Sequence, residues 1–271
     1  MKVVLFCGGQ GMRLREFSEQ IPKPMIKIGY RPILWHLMKY YAHFGHKDFI
    51  LCLGYQADVI KEYFLNYDEC LSNDFVLTGD RSNVKLLNCD IHDWRITFVD
   101  TGMTRNIGGR LMAVQEHLQG EEMFLANYSD NLTDLNLPDM IDDFSRRDRV
   151  VASFLCVRPS QSFHIVSLNG DGQVHGIEEV AKSDVRINGG YFILRKEIFD
   201  YLKPGEELVM EPFQRLIAEK RLYAYKYDEF WAAMDTFKEK QKFDEMYARG
   251  EAPWEVWSAG SNPVSRGPLG R

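Results

Sequence analysis

Apolar and polar residues alternate along the first 160 residues in a pattern that predicts strands separated by helices. Short apolar runs rich in β-branched and aromatic residues predict strands at residues 2–7, 48–53, 95–99, 122–127 and 150–157. Helical periodicity predicts helices near residues 32–44, 56–66, 106–118 and 137–147. Such alternation is typical of right-handed crossovers between parallel strands. We therefore predict an α/β fold with a mostly parallel, Rossmann-like sheet flanked by helices on both faces.

The pattern changes after residue 160 and predicts a smaller, β-rich portion. Two alternating runs at 163–168 and 173–177 flank the turn residues 169–172, which favour positive φ, and predict a hairpin. Further elements are predicted as a strand at 189–194, helices near 196–202 and 210–220, and a charged amphipathic helix at 236–249.

Composition limits the class of protein. The chain has 271 residues, of which 45% are hydrophobic, so it can bury a large core in one domain, which we place at residues 1–257. Residues 258–271 contain mainly Gly, Ser, Pro and Arg, and we expect a disordered tail there. The net charge of −6 and the absence of a basic tract argue against a nucleic-acid-binding protein.

The sequence also bears on location and on the cysteines. It lacks a run of 18 apolar residues and a signal-peptide pattern, so we expect a cytoplasmic protein that does not enter a membrane. The five cysteines are an odd number without a C-x-x-C pair, which argues against a disulfide framework and against a zinc site.

A glycine loop after the first predicted strand is the strongest candidate for a binding site. Gly8, Gly9 and Gly11 would let backbone N–H groups approach an anion, and Arg13 and Lys23 could neutralise its charge. The spacing fits neither G-x-G-x-x-G nor a P-loop. A simple glycine turn with two solvated cations therefore remains an alternative at this point.

Several short motifs occur in a fixed order along the chain: G-G-x-G-x-R-L at 8–14, P-K-P-M at 22–25, V-D-T-G at 99–102, G-G-R-L at 108–111, I-N-G-G at 187–190, M-D-T at 234–236 and A-P-W at 252–254. This set resembles the motifs of the sugar-1-phosphate nucleotidyltransferases, and most closely those of the glucose-1-phosphate cytidylyltransferases. The resemblance covers residues 1–257 and implies the nucleotidyltransferase fold, with the β-rich portion on the substrate side.

The resemblance implies roles for most of the conspicuous residues. It assigns nucleotide binding to Gly8, Gly9, Gly11, Met12, Arg13, Lys23, Gly109 and Arg110. Arg13 and Lys23 would stabilise phosphate charge, and Arg110 would reach the nucleotide from its loop. Where the family usually has threonine, this chain has Met12, which removes a hydroxyl from the first loop.

Two aspartates are implied as ligands of Mg²⁺, which prefers carboxylate oxygens and water. Asp130 follows a predicted strand, at an edge where ligands of parallel sheets bind, and Asp235 lies in the M-D-T motif. An aspartate before a threonine and a helix is also a common N-cap, so spacing alone leaves the role of Asp235 open.

The acceptor side departs from the family pattern. Asn188 matches the sugar-binding asparagine of the family, although a turn-forming Asn-Gly is the competing interpretation. Where the family has a lysine for the sugar phosphate, this chain has Glu179, and a carboxylate would repel a phosphate. Lys182 or Arg186 could supply the missing cation.

The resemblance implies transfer of CMP from CTP to glucose 1-phosphate, giving CDP-glucose and pyrophosphate, in a homo-oligomer. The changed acceptor side leaves another sugar phosphate or nucleotide (dTTP, UTP or GTP) and a non-catalytic sensor as alternatives. We favour an enzyme, because Arg13, Lys23, Asp130 and Asp235 are all present. A Rossmann dehydrogenase is disfavoured by the lack of G-x-G-x-x-G.

Overall fold

The computed structural model describes residues 1–9, 21–79, 83–159 and 163–258. Its strands are β1 (Lys2–Phe6), β2 (Lys27–Ile28), β3 (Arg31–Pro32), β4 (Asp48–Leu53), β5 (Phe75–Leu77), β6 (Val84–Leu86), β7 (Arg95–Asp100), β8 (Met123–Asn127), β9 (Asn131–Thr133), β10 (Ala152–Val157), β11 (His164–Leu168), β12 (Val174–Glu179), β13 (Ile187–Arg195), β14 (Leu222–Tyr227) and β15 (Trp231–Ala233). Its α-helices are α1 (Ile33–His43), α2 (Ala57–Leu65), α3 (Ile107–Ala113), α4 (Leu137–Ser145), α5 (Ile198–Tyr201), α6 (Glu211–Ala218) and α7 (Phe237–Ala248). Short 3₁₀ segments lie at Lys23–Met25, Glu69–Leu71, Gln115–Leu118, Val180–Lys182 and Val256–Ser258.

A central sheet of seven strands, in the order β14-β10-β13-β8-β1-β4-β7, organises the molecule. Strands β8, β1, β4 and β7 are parallel to one another, and β10 pairs in parallel with β14. Only β13 is antiparallel to its two neighbours in this sheet. The sheet is therefore mixed but mostly parallel, as the sequence predicted.

Both faces of the sheet are covered, and alternate residues of β1 show this directly. Val3 and Leu5 pack into the layer that contains α1, whereas Val4 and Phe6 pack into the layer that contains α3 and α6. A strand that is buried on both faces has a continuous run of apolar residues, and this run made β1 and β4 predictable from the sequence.

The other predicted elements are confirmed, with small shifts of their ends. The helix predicted at 106–118 ends earlier, because α3 stops at Ala113 and the chain continues as the 3₁₀ turn Gln115–Leu118. The predicted hairpin is β11 paired antiparallel with β12. No helix within the described ranges is long and apolar enough to cross a membrane.

The C-terminal segment packs onto α1 through a buried histidine. The indole of Trp254, which is fully buried, donates to Nδ1 of His36 at 3.3 Å, and Nε2 of His36 lies 3.0 Å from the carbonyl oxygen of Ile28. Burial lowers the pKa of His36 to about 4, so its ring is neutral at physiological pH. The predicted tail lies outside the described residues from 259 onward.

A second buried contact holds a peripheral lobe, which comprises residues 66–79 and 83–92. The guanidinium of Arg31, 2% exposed, donates to the hydroxyl of Ser72 at 2.6 Å and to the carbonyl oxygen of Asp68 at 2.7 Å, and it lies 3.6 Å from Asp90. This arginine therefore ties the start of α1 to the lobe.

Candidate functional site

Three charged side chains that are far apart in sequence meet at the carboxyl edge of the central sheet. Nζ of Lys23 lies 2.6 Å from Oδ2 of Asp130 and 2.6 Å from Oδ1 of Asp235. The lysine comes from the 3₁₀ turn before β2, and the aspartates flank the small sheet of β9 and β15. The structure therefore brings together three residues that the sequence analysis had singled out separately.

The β9–β15 pairing holds the two aspartates beside each other. Asn131 pairs with Ala233 across this antiparallel ladder, and the N–H of Met234 donates to the carbonyl oxygen of Asp130 at 2.9 Å. Just before Asp130 the chain turns at Ser129, whose φ is +64°. The Ser129 hydroxyl donates to the carbonyl oxygen of Phe6 at 2.6 Å, which fixes this turn against β1.

The N-cap interpretation of Asp235 is wrong. Thr236 is the N-cap of α7, because its hydroxyl accepts from the N–H of Glu239 at 3.3 Å. The Glu239 carboxylate accepts in return from the N–H groups of Asp235 at 2.8 Å and Thr236 at 2.9 Å, completing a capping box. The carboxylate of Asp235 points instead at Lys23.

Burial and charge act in opposite directions on this cluster. Burial raises the pKa of Asp130, and Lys23 only partly offsets that effect. Burial would lower the pKa of Lys23, but the two carboxylates outweigh it and raise the pKa, which keeps the ammonium charged. A single ammonium therefore faces two carboxylates at an edge that is partly open to solvent.

The donor set fits a hard divalent cation of the Mg²⁺ type. No cluster of three or more His, Cys, Asp or Glu side chains suited to a metal occurs in the described part of the chain. Mg²⁺ is commonly held by one or two carboxylates, with water and substrate phosphate completing the shell. Asp130 and Asp235 supply that number, whereas a closed zinc site would need four protein ligands.

The described part of the glycine loop is built against neighbouring strands. Gly8 is buried and Gly9 is exposed, and the carbonyl oxygen of Gly8 accepts from the N–H of Tyr55 at 3.4 Å. The remaining predicted loop residues, Gly11, Met12 and Arg13, lie outside the described residues.

Arg110 lies beneath this loop and is only 2% exposed. Its Nη2 donates to the carbonyl oxygen of Gly8 at 2.9 Å, and its Nη1 donates to Oγ1 of Thr101 at 2.7 Å. The structure thus places the guanidinium on protein oxygens rather than at an open surface. Gly109 lies in α3, and its N–H donates to the N-cap side chain of Asn106 at 2.9 Å.

Asn188 stands inside β13, at a β-bulge, rather than in a hairpin turn. Its Oδ1 accepts from the N–H of Gly190 at 2.9 Å, and its Nδ2 donates to the hydroxyl of Tyr128 at 3.1 Å. Gly190 has φ of +78°, and the β10–β13 register shifts beside it. A Cβ at Gly190 would lie 2.6 Å from Nδ2 of Asn131, so the backbone here requires glycine.

The structure does not place Lys182 or Arg186, the two candidates for the missing cation, at the aspartate cluster. Lys182 forms an exposed ion pair with Glu179 at 2.8 Å. Arg186 donates to both carboxylate oxygens of Asp228, at 2.8 and 3.1 Å, beyond the ends of β10 and β14.

Sequence reasoning missed two residues of the site. Tyr128 packs beside Asn188, and Asn131 is 2% exposed, with its Nδ2 at 3.3 Å from Oδ1 of Asp130. Oδ1 of Asn131 is buried without a hydrogen-bond partner among the described residues. The available signal was their position in the sequence, two residues before Asp130 and one residue after it.

Comparison with known proteins places the chain in one family. Residues 2–239 match the model of the nucleotidyl transferase family. The glucose-1-phosphate cytidylyltransferase of Salmonella typhimurium is 37% identical over 259 residues, which cover 95% of this chain and 100% of that protein.

Solved structures with low sequence identity share the fold. HddC from Yersinia pseudotuberculosis has a TM-score of 0.62 at 21% identity, covering 91% of this chain and 99% of that one. A UDP-glucose pyrophosphorylase in complex with UDP-glucose has a TM-score of 0.66 at 15% identity, covering 92% and 98%. Because the family model matches residues 2–239 and a relative is 37% identical over nearly the full length, the chain belongs to the nucleotidyl transferase family, among the sugar-1-phosphate nucleotidyltransferases.

Proposed function

We propose that the protein transfers CMP from CTP to glucose 1-phosphate, releasing pyrophosphate and forming CDP-glucose. The observation that carries the proposal is the cluster of Lys23, Asp130 and Asp235 at the carboxyl edge of the sheet. The relative from Salmonella typhimurium, which is named for this reaction, supports the choice of base and sugar.

The reaction needs no nucleophile from the protein. A phosphate oxygen of glucose 1-phosphate forms a bond to the α-phosphorus of CTP, and the bond from that phosphorus to the pyrophosphate oxygen breaks. The acceptor is already ionised at neutral pH, so positioning and charge stabilisation carry the rate.

Each charged residue then has a distinct role. Asp130 and Asp235 would hold Mg²⁺, which when bound neutralises charge near the α-phosphate. Lys23 lies within 2.6 Å of both carboxylates, so its ammonium is close enough to the same place to stabilise charge developing on the phosphates. Arg13, Gly11 and Met12 are proposed to complete the nucleotide site from outside the described residues.

On the acceptor side we assign the sugar to Asn188. Tyr128 adjoins it, because the phenol accepts from Nδ2 of Asn188 at 3.1 Å and still has its own proton to donate. Lys182 is proposed to leave its exposed pair with Glu179 to meet the sugar phosphate, because surface pairs of this kind contribute little stability. We further propose a cytoplasmic homo-oligomer that binds neither nucleic acid nor membrane.

The test is pyrophosphate release by the purified protein with Mg²⁺, one nucleoside triphosphate at a time and a panel of sugar 1-phosphates. We expect release with CTP and glucose 1-phosphate, with CDP-glucose identified by mass. Turnover only with dTTP, UTP or GTP, or only with another sugar phosphate, would refute the assigned substrates while retaining the reaction class.

Nucleotide binding without turnover across the whole panel would favour the sensor alternative.

A Lys182→Ala variant distinguishes an effect on acceptor binding from an effect on nucleotide binding. We expect a higher KM for glucose 1-phosphate and an unchanged KM for CTP, and an unchanged KM for both would remove Lys182 from the acceptor site.

A further inference from the structure

A row of side chains crosses the sheet beside Asn188, at the carboxyl edge that also carries Asp130. Asn188 of β13 is paired with Cys156 of β10, and Cys156 is paired with Lys226 of β14. Side chains of directly paired residues project from the same face of a sheet. The Asn188 amide, the Cys156 thiol and the Lys226 ammonium therefore stand side by side on three neighbouring strands.

Two arginines adjoin this row just past the strand ends. Arg158 directly follows β10, and Arg186 directly precedes β13. Nε of Arg158 lies 3.1 Å from Oδ1 of Asp228, and Nη2 of Arg186 lies 2.8 Å from the same oxygen. Arg186 comes two residues before Asn188, so their backbones are about 7 Å apart along the strand. Both guanidinium groups therefore lie close to the residue that we assign to the sugar.

These residues carry more positive than negative charge. Lys226, Arg158 and Arg186, which we call the cationic cluster, supply three cations, and within the described ranges Asp228 is the one carboxylate that forms ion pairs with them. The whole chain has a net charge of −6, so the surplus is local. Burial raises the pKa of the Cys156 thiol, and the charges of Arg186 and Lys226 partly offset that effect, which agrees with their position around it.

Two members of the cationic cluster are placed to meet a ligand, and the third holds the strand ends. The Lys226 side chain is exposed, and that of Arg158 is 42% exposed. Among the described residues Arg158 donates only through Nε, to Asp228, so its two Nη groups can still bind a carboxylate or a phosphate. Arg186 is 20% exposed, and its Nη1 donates to the carbonyl oxygen of Cys156 at 3.3 Å.

The strand order decides which end of a bound sugar phosphate meets the cationic cluster. Along the sheet the strands follow the order β1, β8, β13, β10 and β14. Asp130 follows β8 and Asn188 lies in β13, so a sugar phosphate with its phosphate at Asp130 and its ring at Asn188 extends toward β10. Neighbouring strands are about 4.8 Å apart, which places the cluster one to two strand spacings beyond Asn188. It therefore faces the end of a hexose that is remote from C1.

We propose that Lys226 and Arg158 form a second anion-binding subsite, which admits hexose 1-phosphates that carry a further carboxylate or phosphate at the end remote from C1. The inference rests on the proposed function and extends its acceptor range beyond glucose 1-phosphate. The transfer step is unchanged: an oxygen of the C1 phosphate forms a bond to the α-phosphorus of CTP, the bond from that phosphorus to the pyrophosphate oxygen breaks, and pyrophosphate leaves. The second anion takes no part in these bond changes and contributes binding energy alone.

The experiment compares glucose 1-phosphate with glucose 1,6-bisphosphate and glucuronic acid 1-phosphate. The test variant is Arg158→Gln/Lys226→Gln, which removes two exposed cations and leaves Arg186 to hold the strand ends. The matched control is Lys85→Gln/Arg95→Gln, which removes two exposed cations from the peripheral lobe and from the start of β7, away from the carboxyl edge. The two variants thus have the same net charge.

The first readout is binding, measured by titration calorimetry at low ionic strength, which needs no turnover. We expect the wild-type protein to bind at least one doubly anionic compound about tenfold more tightly than glucose 1-phosphate. This preference should be lost in the test variant and kept in the control. A preference for glucuronic acid 1-phosphate alone would assign the subsite to a carboxylate, and a preference for the bisphosphate alone would assign it to a phosphate.

The second readout is pyrophosphate release with CTP and Mg²⁺, with the product identified by mass. The quantity compared is kcat/KM for each doubly anionic compound divided by kcat/KM for glucose 1-phosphate. We expect this ratio to fall by about tenfold from the wild-type protein to the test variant and to stay the same in the control.

The subsite does not exist if the wild-type protein binds neither doubly anionic compound more tightly than glucose 1-phosphate. An equal preference in the wild-type protein and the test variant would also overturn the proposal, because the second anion would then bind elsewhere, and so would an equal loss in the control. Tight binding without turnover, while glucose 1-phosphate reacts, would make these compounds inhibitors and not acceptors. If no sugar phosphate releases pyrophosphate, the proposed function fails, whereas the binding comparison still decides the subsite.

Discussion

At the scale of single residues, the ammonium of Lys23 influences how strongly the two aspartates can bind a divalent cation. Its ammonium contacts both aspartates at 2.6 Å, so any divalent cation on those oxygens must compete with it. The sequence indicated all three residues through motif resemblance, but it could not show that the lysine lies against the carboxylates. That contact depends on segments about 107 and 212 residues apart in the chain.

Loss of the Lys23 charge should tighten metal binding while slowing the reaction. In Lys23→Met the two carboxylates lose a competing cation, and we expect Mn²⁺ to bind about tenfold more tightly. Mn²⁺ binding is measured by electron paramagnetic resonance, and turnover by pyrophosphate release. Lys27→Met, which changes an exposed lysine four residues later, is the control. Weaker Mn²⁺ binding in Lys23→Met would contradict this account.

Asp130→Asn should remove most activity and leave the fold intact. The amide keeps the shape but supplies no anionic ligand, so turnover is expected to fall by on the order of 10²-fold or more. Because burial raises the pKa of Asp130, its removal should not lower the thermal stability of the metal-free protein. The exposed Asp139→Asn is the control, and turnover near the wild-type rate in Asp130→Asn would remove Asp130 from the site.

At the scale of elements, the predictable ones are those whose residues carry a periodic pattern. The strands β1 and β4 and the helix α1 are long apolar or amphipathic segments, and each was predicted within one or two residues. The edge strand β14 was missed, and so was the three-residue pairing of β9 with β15. Strands as short as β9 and β15 are defined by a distant partner, so no local pattern identifies them.

The capping box of α7 should influence metal binding as well as stability. In Glu239→Ala the N–H of Asp235 loses its acceptor, and we expect Mn²⁺ to bind about tenfold more weakly, as when a supporting contact of a ligand is removed. Thr236→Ala is the matched control, because it should cost about 1 kcal/mol of stability while Glu239 still accepts from Asp235. Mn²⁺ affinity and the free energy of unfolding in urea are measured for both variants. Equal Mn²⁺ affinities would show that the capping box stabilises α7 and does not affect metal binding.

At the scale of the whole molecule, the C-terminal segment closes the layer that contains α1. The A-P-W motif contributes Trp254, which is buried against His36 and Phe243. The sequence identified this motif only by resemblance. Its packing role could not be predicted, because the contact joins residues 218 positions apart.

His36 should make the folded protein sensitive to acid. Burial lowers its folded pKa to about 4, below the ordinary value of 6.5, so the unfolded state binds more protons between these two pH values. The free energy of unfolding should therefore fall as pH drops from 6.5 to 4, by about 3 kcal/mol from this residue.

Urea unfolding at several pH values tests this dependence. His36→Gln should flatten the slope in that window by about 1.4 kcal/mol per pH unit, whereas the exposed His92→Gln should not. His46, whose pKa is also lowered to about 4 by burial, contributes the slope that remains. An unchanged slope in His36→Gln would show that the histidine is not held neutral.

The reversed direction of β13 has a consequence for how this protein can diversify. Because β13 runs against β8 and β10, the chain leaves the sheet after Val157 and re-enters it at Ile187 on the same edge that carries Asp130. The segment between those residues includes the β11–β12 hairpin, which forms a separate two-stranded sheet. The proposed function puts Lys182 of this segment at the sugar phosphate, so we expect changes of its length and charge to alter acceptor choice while every strand of the central sheet stays the same.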